Sequence, residues 1–245
     1  NIYPLMCVEG VYDHQRAETS DKRVFILTRS YYTGQQRTGA QSWSGDTGSS
    51  WDTFRRQIPL CLNHTLTGNP NVNTDIGGFF PGGYNRGTAT CARNPLFQEL
   101  YVRWLQFGLF CPMMRSHGES SRREIWEFGK PGEPVYDAIA HAIRMRYKLM
   151  PYIYSTAHQV SAHDDSFMRA LVMDFPADRR TWDMNDEFLF GRSLLVAPVT
   201  HPLYTGDERQ GWTDDVPDWT AAKQVEVYLP GGADWYEWST GAKLK

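Results

Sequence analysis

The chain has 245 residues and a formal net charge of -3, from 25 Lys and Arg against 28 Asp and Glu. It carries no basic field of the kind that recruits a phosphate backbone, so nucleic acid is not an expected partner. Hydrophobic residues at 41% and aromatic residues at 14% supply a packed core and exclude a disordered chain, while the longest apolar runs, such as residues 193–199, fall far short of the roughly 20 residues of a membrane helix.

The first strand signal is residues 23–28, where Val24, Phe25, Ile26 and Leu27 form a continuous apolar run. Such a run suits a strand buried on both faces of a parallel sheet. A second short strand is expected at residues 41–44, ending in Gly45 and Asp46. A helix follows, with Ser50 as N-cap and Trp51, Phe54, Ile58 and Leu62 at helical spacing; Gly68 and Pro70 stop it, and Pro59 is expected to kink it. Residues 71–76 read as a third strand, running into Asp75 and the flexible pair Gly77-Gly78.

Asn94 and Pro95 give an N-cap with proline at the first helical position, and Leu96, Leu100, Trp104 and Phe107 line one face as far as Gly108. A fourth strand is expected at residues 109–114, delivering Arg115, Ser116 and His117. After a polar loop at residues 119–134 comes a long helix with Val135, Ile139, Ile143, Leu149, Ile153 and Tyr154 on its apolar face, kinked at Pro151. Beyond Ala162 the pattern changes to short strands at residues 168–175, 193–199 and 225–229, then an aromatic alternation over residues 233–245 around a Thr240-Gly241 turn. This reads as the start of a β-sandwich. The earlier alternation of strands and helices implies a parallel sheet with right-handed crossovers.

Cys7, Cys61, Cys91 and Cys111 include no C-x-x-C pair, so buried free thiols are expected rather than a zinc or redox site. Asn63-His64-Thr65 fits a glycosylation tripeptide but falls inside a predicted helix. The chain opens on Asn1 without a leader pattern, and we read it as a piece of a longer polypeptide, its missing N-terminal part being a structural partner.

In parallel sheets of this kind ligands bind at the carboxyl ends of the strands. Those ends deliver Arg29, then Trp43 and Asp46, then Asp75 and Phe79, then Arg115 and His117. Singly, each has a plain explanation: Asp46 as a turn former, Trp43 as core, His117 as a structural imidazole, Arg29 as half of an ion pair. Their placement on four successive strand ends points instead to one shared pocket. Carboxylates, an arginine, a histidine and aromatic faces without a phosphate loop describe a sugar site. Glycoside cleavage needs two carboxyl groups, and from the residues alone Asp46 and Asp75 are the natural pair. No cofactor or metal is called for.

The stretch from Arg29 through Trp43-Ser44-Gly45-Asp46, the run Thr74-Asp75-Ile76-Gly77-Gly78-Phe79, Arg115-Ser116-His117, residues 146–154 and residues 191–199 resemble, in that order, glycoside hydrolase family 31. The resemblance implies an α/β chain: the distal half, strands five to eight, of a (β/α)8 TIM barrel in residues 1–162, then the incomplete start of an all-β sandwich domain in residues 163–245. The implied activity is hydrolysis of terminal non-reducing α-linked glucosyl or xylosyl residues of oligosaccharides with retention. By the same resemblance Asp46 matches the general acid/base, Arg29 an arginine contacting sugar and acid, Trp43 and Phe79 pocket walls, and His117 a partner of a ring hydroxyl. Asp75 matches a supporting acid rather than the nucleophile, whose counterpart would lie upstream of Asn1, so the fragment alone is expected to be inactive. A bacterial periplasmic or secreted location is also implied. Two other readings stand beside this one: a noncatalytic carbohydrate-binding module, and a metal-dependent hydrolase using Asp75, His117 and the His163-Asp164-Asp165 cluster, which more plainly reads as a solvated loop.

Overall fold

Three short parallel strands and five longer helices order the first two thirds of the chain in the computed structural model, which describes residues 1–244. Strands β1 (Leu27–Thr28), β2 (Gln41–Trp43) and β3 (Val72–Asn73) lie side by side in sequence order, with Leu27 opposite Gln41 and Trp43 opposite Asn73. An isolated parallel bridge from Ile76 to Ser116 adds a fourth segment to that edge. The parallel alternation is therefore present, but the strands are much shorter than their apolar runs. Residues 23–26 add only one backbone contact, Gln41 N donating to the Ile26 carbonyl at 2.8 Å. Phe25 is 66% exposed, so the expected burial on both faces is not realised: among the described residues no second layer covers that run.

Helix α1 (Tyr3–Glu18) precedes β1 and was not expected. It buries only Pro4, Leu5 and Val8, too weak a stripe to stand out as helical periodicity. The short connection from β1 to β2 is spanned by a 3-10 turn, Gln35–Thr38, between the left-handed glycines Gly34 and Gly39. Helix α2 (Trp51–Leu66) starts as expected, Ser50 Oγ accepting from Thr53 N, and runs on through Pro59. Helix α3 (Pro95–Gly108) is capped by Asn94, whose side-chain oxygen accepts from Leu96 N at 3.1 Å. The two helices pack through Phe54 and Trp104, stacked 5.2 Å apart, and Trp104 Nε1 donates to Thr74 Oγ1 at 3.0 Å, fixing the helix on the sheet.

The fourth predicted strand, residues 109–114, is not a strand. Leu109 N, Phe110 N and Cys111 N turn back onto the carbonyls of Leu105, Phe107 and Gly108. The carbonyls that a strand would offer to a neighbour are taken by one guanidinium: Arg146 Nη1 donates to Leu109 O at 2.5 Å and Cys111 O at 2.7 Å, and Nη2 to Pro112 O at 2.8 Å. A cation satisfying the last carbonyls of a helix is favourable there, and it curls the chain until pairing resumes at Ser116.

A short helix α4 (Ile125–Phe128) lies within the 119–134 loop and stacks Phe128 on Tyr101 at 4.4 Å. The long predicted helix is two, α5 (Pro134–Lys148) and α6 (Met150–His163), separated at Leu149; Pro151 sits in the first turn of α6, where a missing N–H costs nothing. Past it, β4 (Met168–Ala170), β5 (Phe188–Phe190) and β6 (Leu194–Val196) form an antiparallel sheet in that order, with helix α7 (Leu171–Asp174) closing the segment expected to continue β4. β5 was missed and residues 225–229 form no strand: Val225 and Val227 are exposed, and Tyr228 N donates to the Glu187 carboxylate rather than to a neighbouring strand. Residues 235–244 form a hairpin, with Tyr236 bridged to Lys243; the end of the predicted aromatic strand, residue 245, lies outside the described residues. The described part of the C-terminal region is thus one three-stranded sheet plus a hairpin, not two facing sheets. Among the described residues no helix is long and apolar enough to cross a membrane.

The two regions are tied by residues 200–214. Buried Glu99 of α3 accepts from Leu203 N, Tyr204 N and Thr205 N; Arg55 pairs with Glu208 at 2.8 Å, Arg86 with Asp214 at 2.6 Å, and Gln210 Nε2 donates to Ser49 O at 2.8 Å.

Candidate active site

All six residues singled out from the sequence lie at or just beyond the carboxyl ends of the parallel strands, in three local sets joined through backbone. The first is Arg29 and Asp46, following β1 and β2: Arg29 Nη1 stands 3.4 Å from Asp46 Oδ2. Gly45 explains how they meet. Its φ is +82°, and a Cβ there would lie 2.8 Å from Arg29 Nε, so the glycine leaves the space the guanidinium occupies. Asp46 keeps about a third of its side chain open to solvent.

The second set is Asp75, Arg115 and Trp43. Asp75 is fully buried and paired with Arg115, and the Arg115 guanidinium lies 5.1 Å from the centre of the Trp43 ring, within cation–π reach. Trp43 is half-buried, neither core nor a free platform. Burial pushes the Asp75 carboxyl above its ordinary 3.8; the charges of Arg115 and His117 oppose that rise and Asp46 adds to it. Arg115 appeared in the sequence among the strand-end polar residues without an assigned role. Its signal was its place in Arg115-Ser116-His117, immediately before the segment that bridges to Ile76.

The third set is Phe79 and His117, ring centres 5.4 Å apart, with Phe80 edge-on to Phe79 at 4.8 Å. Phe79 also joins the sets: its N–H donates to Thr47 O at 2.7 Å, next to Asp46, and its carbonyl accepts from Glu119 N at 3.0 Å, just past His117. Gly78 allows the approach. With φ at +76°, a Cβ on it would lie 2.7 Å from both Gly48 O and Ser49 Cα.

Arg123, in the polar 119–134 loop and without a sequence signal of its own, lies behind this rim, with Nη1 donating to Ile76 O at 2.9 Å and His117 O at 2.7 Å. The 163–165 cluster does not reach the site. Both Asp165 oxygens are engaged, one by Arg169 and the Ser166 N–H, the other by Arg192 at 2.7 Å. Among the described residues no group of three or more His, Cys, Asp or Glu side chains could hold a metal ion. Cys61, Cys91 and Cys111 are buried free thiols as expected, whereas Cys7 is free but exposed.

These strand ends bring together an acid–arginine pair, a buried acid and aromatic side chains, the residues on which the resemblance to glycoside hydrolase family 31 rests. The family models agree: the glycosyl hydrolases family 31 TIM-barrel domain matches residues 1–156, and the family 31 C-terminal domain matches residues 164–245. The chain belongs to glycosyl hydrolase family 31. An α-xylosidase of Saccharolobus solfataricus is 41% identical over the whole chain, which covers 29% of that protein; human neutral alpha-glucosidase C is 36% identical over 99% of the chain and 23% of its own length. Among solved structures, the family 31 α-xylosidase from Xanthomonas citri superposes with a TM-score of 0.84 at 43% identity, over 98% of this chain and 24% of that one. The chain therefore spans about a quarter of the length of these relatives.

Proposed function

We propose that residues 1–245 are the part of a retaining α-glycoside hydrolase that carries the general acid/base, and that the whole polypeptide removes terminal non-reducing α-linked glucosyl or xylosyl residues from oligosaccharides. In this reading β1, β2, β3 and the Ser116 segment are barrel strands five to eight, residues 1–162 belong to the catalytic barrel and residues 163–245 to the C-terminal domain. The observation that carries it is the contrast between the two acids at the strand ends. Asp46 is open to solvent beside Arg29, whereas Asp75 is sealed against Arg115. A group that exchanges protons with substrate and water must be reachable; a group that shapes the pocket need not be.

The nucleophile would come from the upstream part of the same polypeptide. It would attack the anomeric carbon while Asp46 protonates the leaving oxygen; Asp46 would then deprotonate the water that releases the sugar. Trp43 and Phe79 would flank the sugar ring and His117 would bond a ring hydroxyl, with Asp75 and Arg115 fixing the floor between them. Likeness to α-xylosidases at 41% and 43% identity, against 36% for the α-glucosidase, supports xylosides as the first substrates to assay.

The test is the full-length gene product with p-nitrophenyl α-xyloside and α-glucoside in parallel. Wild-type turnover of at least one is expected, and Asp46→Ala is expected to abolish it. An Asp46→Ala enzyme with wild-type rates sinks the assignment.

A further inference from the structure

We propose that Arg123 is a positioning residue of this site: it clamps the segments bearing Asp75 and His117 in register at the point where their strand pairing stops. This rests on the functional reading above and assigns a role to a side chain outside the pocket residues.

The backbone between these segments is sparsely paired. Ile76 and Ser116 form an isolated bridge, with Ile76 N donating to Arg115 O at 3.2 Å. Just past that bridge, the carbonyls of Ile76 itself and of His117, the residue after Ser116, both turn to the same nitrogen, Arg123 Nη1, at 2.9 and 2.7 Å. A single donor group shared by two carbonyls fixes the distance between them, and these two carbonyls adjoin the pocket residues: Ile76 follows Asp75, and the other belongs to His117 itself.

The surrounding sequence makes room for the clamp. Gly77 has a φ of +88°, and a Cβ on it would lie 2.7 Å from the Tyr101 ring and 3.3 Å from Arg123 Nη1; a Cβ on Gly118 would collide with the guanidinium outright. Both glycines flank the clamped carbonyls. The charge itself is poorly compensated. No carboxylate within ion-pair distance faces Arg123 among the described residues; its guanidinium lies 5.7 Å from the Phe97 ring centre, and Nε and Nη2 are buried without partners. A half-buried cation with two unpartnered buried nitrogens and no carboxylate to pair it is costly to the fold, which argues for a purpose beyond packing. Burial lowers its pKa, while Cys91, Tyr101 and Asp75 act in the opposite direction. A cavity of about 250 Å³, lined also by Tyr101, Met114, Ser116 and Ile125, lies against it and gives a small cation a way in.

The experiment compares Arg123→Ala and Arg123→Lys with wild type and Asp46→Ala in the full-length gene product, using the two aryl α-glycosides and thermal unfolding. Arg123→Ala is expected to lose about 100-fold in kcat/KM, the scale on which small misplacements of site groups act. Guanidinium chloride at millimolar, non-denaturing concentration is expected to restore much of that loss, as a free guanidinium re-bridges the two carbonyls. Arg123→Lys is expected to fall between Arg123→Ala and wild type, and Asp46→Ala to gain nothing from guanidinium. An Arg123→Ala enzyme that matches wild type overturns the proposal and leaves the acid/base reading intact. So does a loss that neither guanidinium nor lysine repairs, since that marks a merely structural side chain. A wild type inactive on both substrates overturns the functional reading, and this one with it.

Discussion

Glu99 offers the most direct measure of how the C-terminal region is held. It lies in α3 at 2% exposure; Oε1 accepts from Leu203 N at 2.6 Å and Tyr204 N at 3.0 Å, and Oε2 accepts from Thr205 N and Thr205 Oγ1, both at 2.8 Å. Replacing Glu99 with Ala removes the acceptor from three backbone donors at once. A charge-assisted bond contributes about 1.5–3 kcal/mol, and a donor left stranded costs about 1–3 kcal/mol. The three donors belong to half-buried residues, so water recovers part of the loss, and about 3–4 kcal/mol is expected for local opening of residues 200–214. At about 1.4 kcal/mol per decade, amide exchange of Leu203, Tyr204 and Thr205 should accelerate by about 10²- to 10³-fold. Glu99→Gln keeps one oxygen for Leu203 and Tyr204 but turns an amide toward the Thr205 donors, and should lose roughly half as much. Hydrogen exchange read by mass spectrometry on the full-length protein is the assay. Unchanged protection at residues 203–205 in Glu99→Ala would refute the claim that this carboxylate holds the segment.

Two further outcomes follow from the strand ends. Gly78→Ala places a Cβ 2.7 Å from Gly48 O and Ser49 Cα at a φ of +76°; a loss of about 2–4 kcal/mol is expected, with reduced kcat/KM because the displaced backbone carries Asp46. An unchanged melting temperature would show that the approach is not as tight as described. Asp75 holds its proton to higher pH in the folded chain than in the unfolded one, because burial raises it above 3.8. Stability from this group is therefore present at low pH and lost as pH rises through the folded value. Urea midpoints of wild type should fall with rising pH just above 3.8 relative to those of Asp75→Asn, and identical slopes would rule that out.

The helices that begin on clear caps, at Ser50 and Asn94, were readable because the cap and the apolar spacing coincide. That the candidate site residues gather at strand ends was readable because each lies at or within a few residues of the end of a strand-like segment. What was not readable depended on distant partners. Residues 109–114 have the composition of a strand, but a guanidinium 34 to 37 residues later takes their carbonyls. Helix α1 has so small a buried face that nothing local marks it. Arg123 sits in a polar loop whose sequence says nothing of the two carbonyls it binds, and β5 was overlooked because Phe188–Phe190 is too short a run to separate from its surroundings without its neighbours β4 and β6.

Gln210 donating to Ser49 O, and Arg55 and Arg86 gripping Glu208 and Asp214, have a consequence for recombining such enzymes. A chimera cut at the helix that separates the two regions would pair one parent's acid-bearing loop with another parent's residues 200–214. The compatible unit of exchange is therefore set by these matched contacts rather than by the helix that looks like a natural seam. Blocks for shuffling should move Arg55, Arg86 and Glu99 together with the segment they hold.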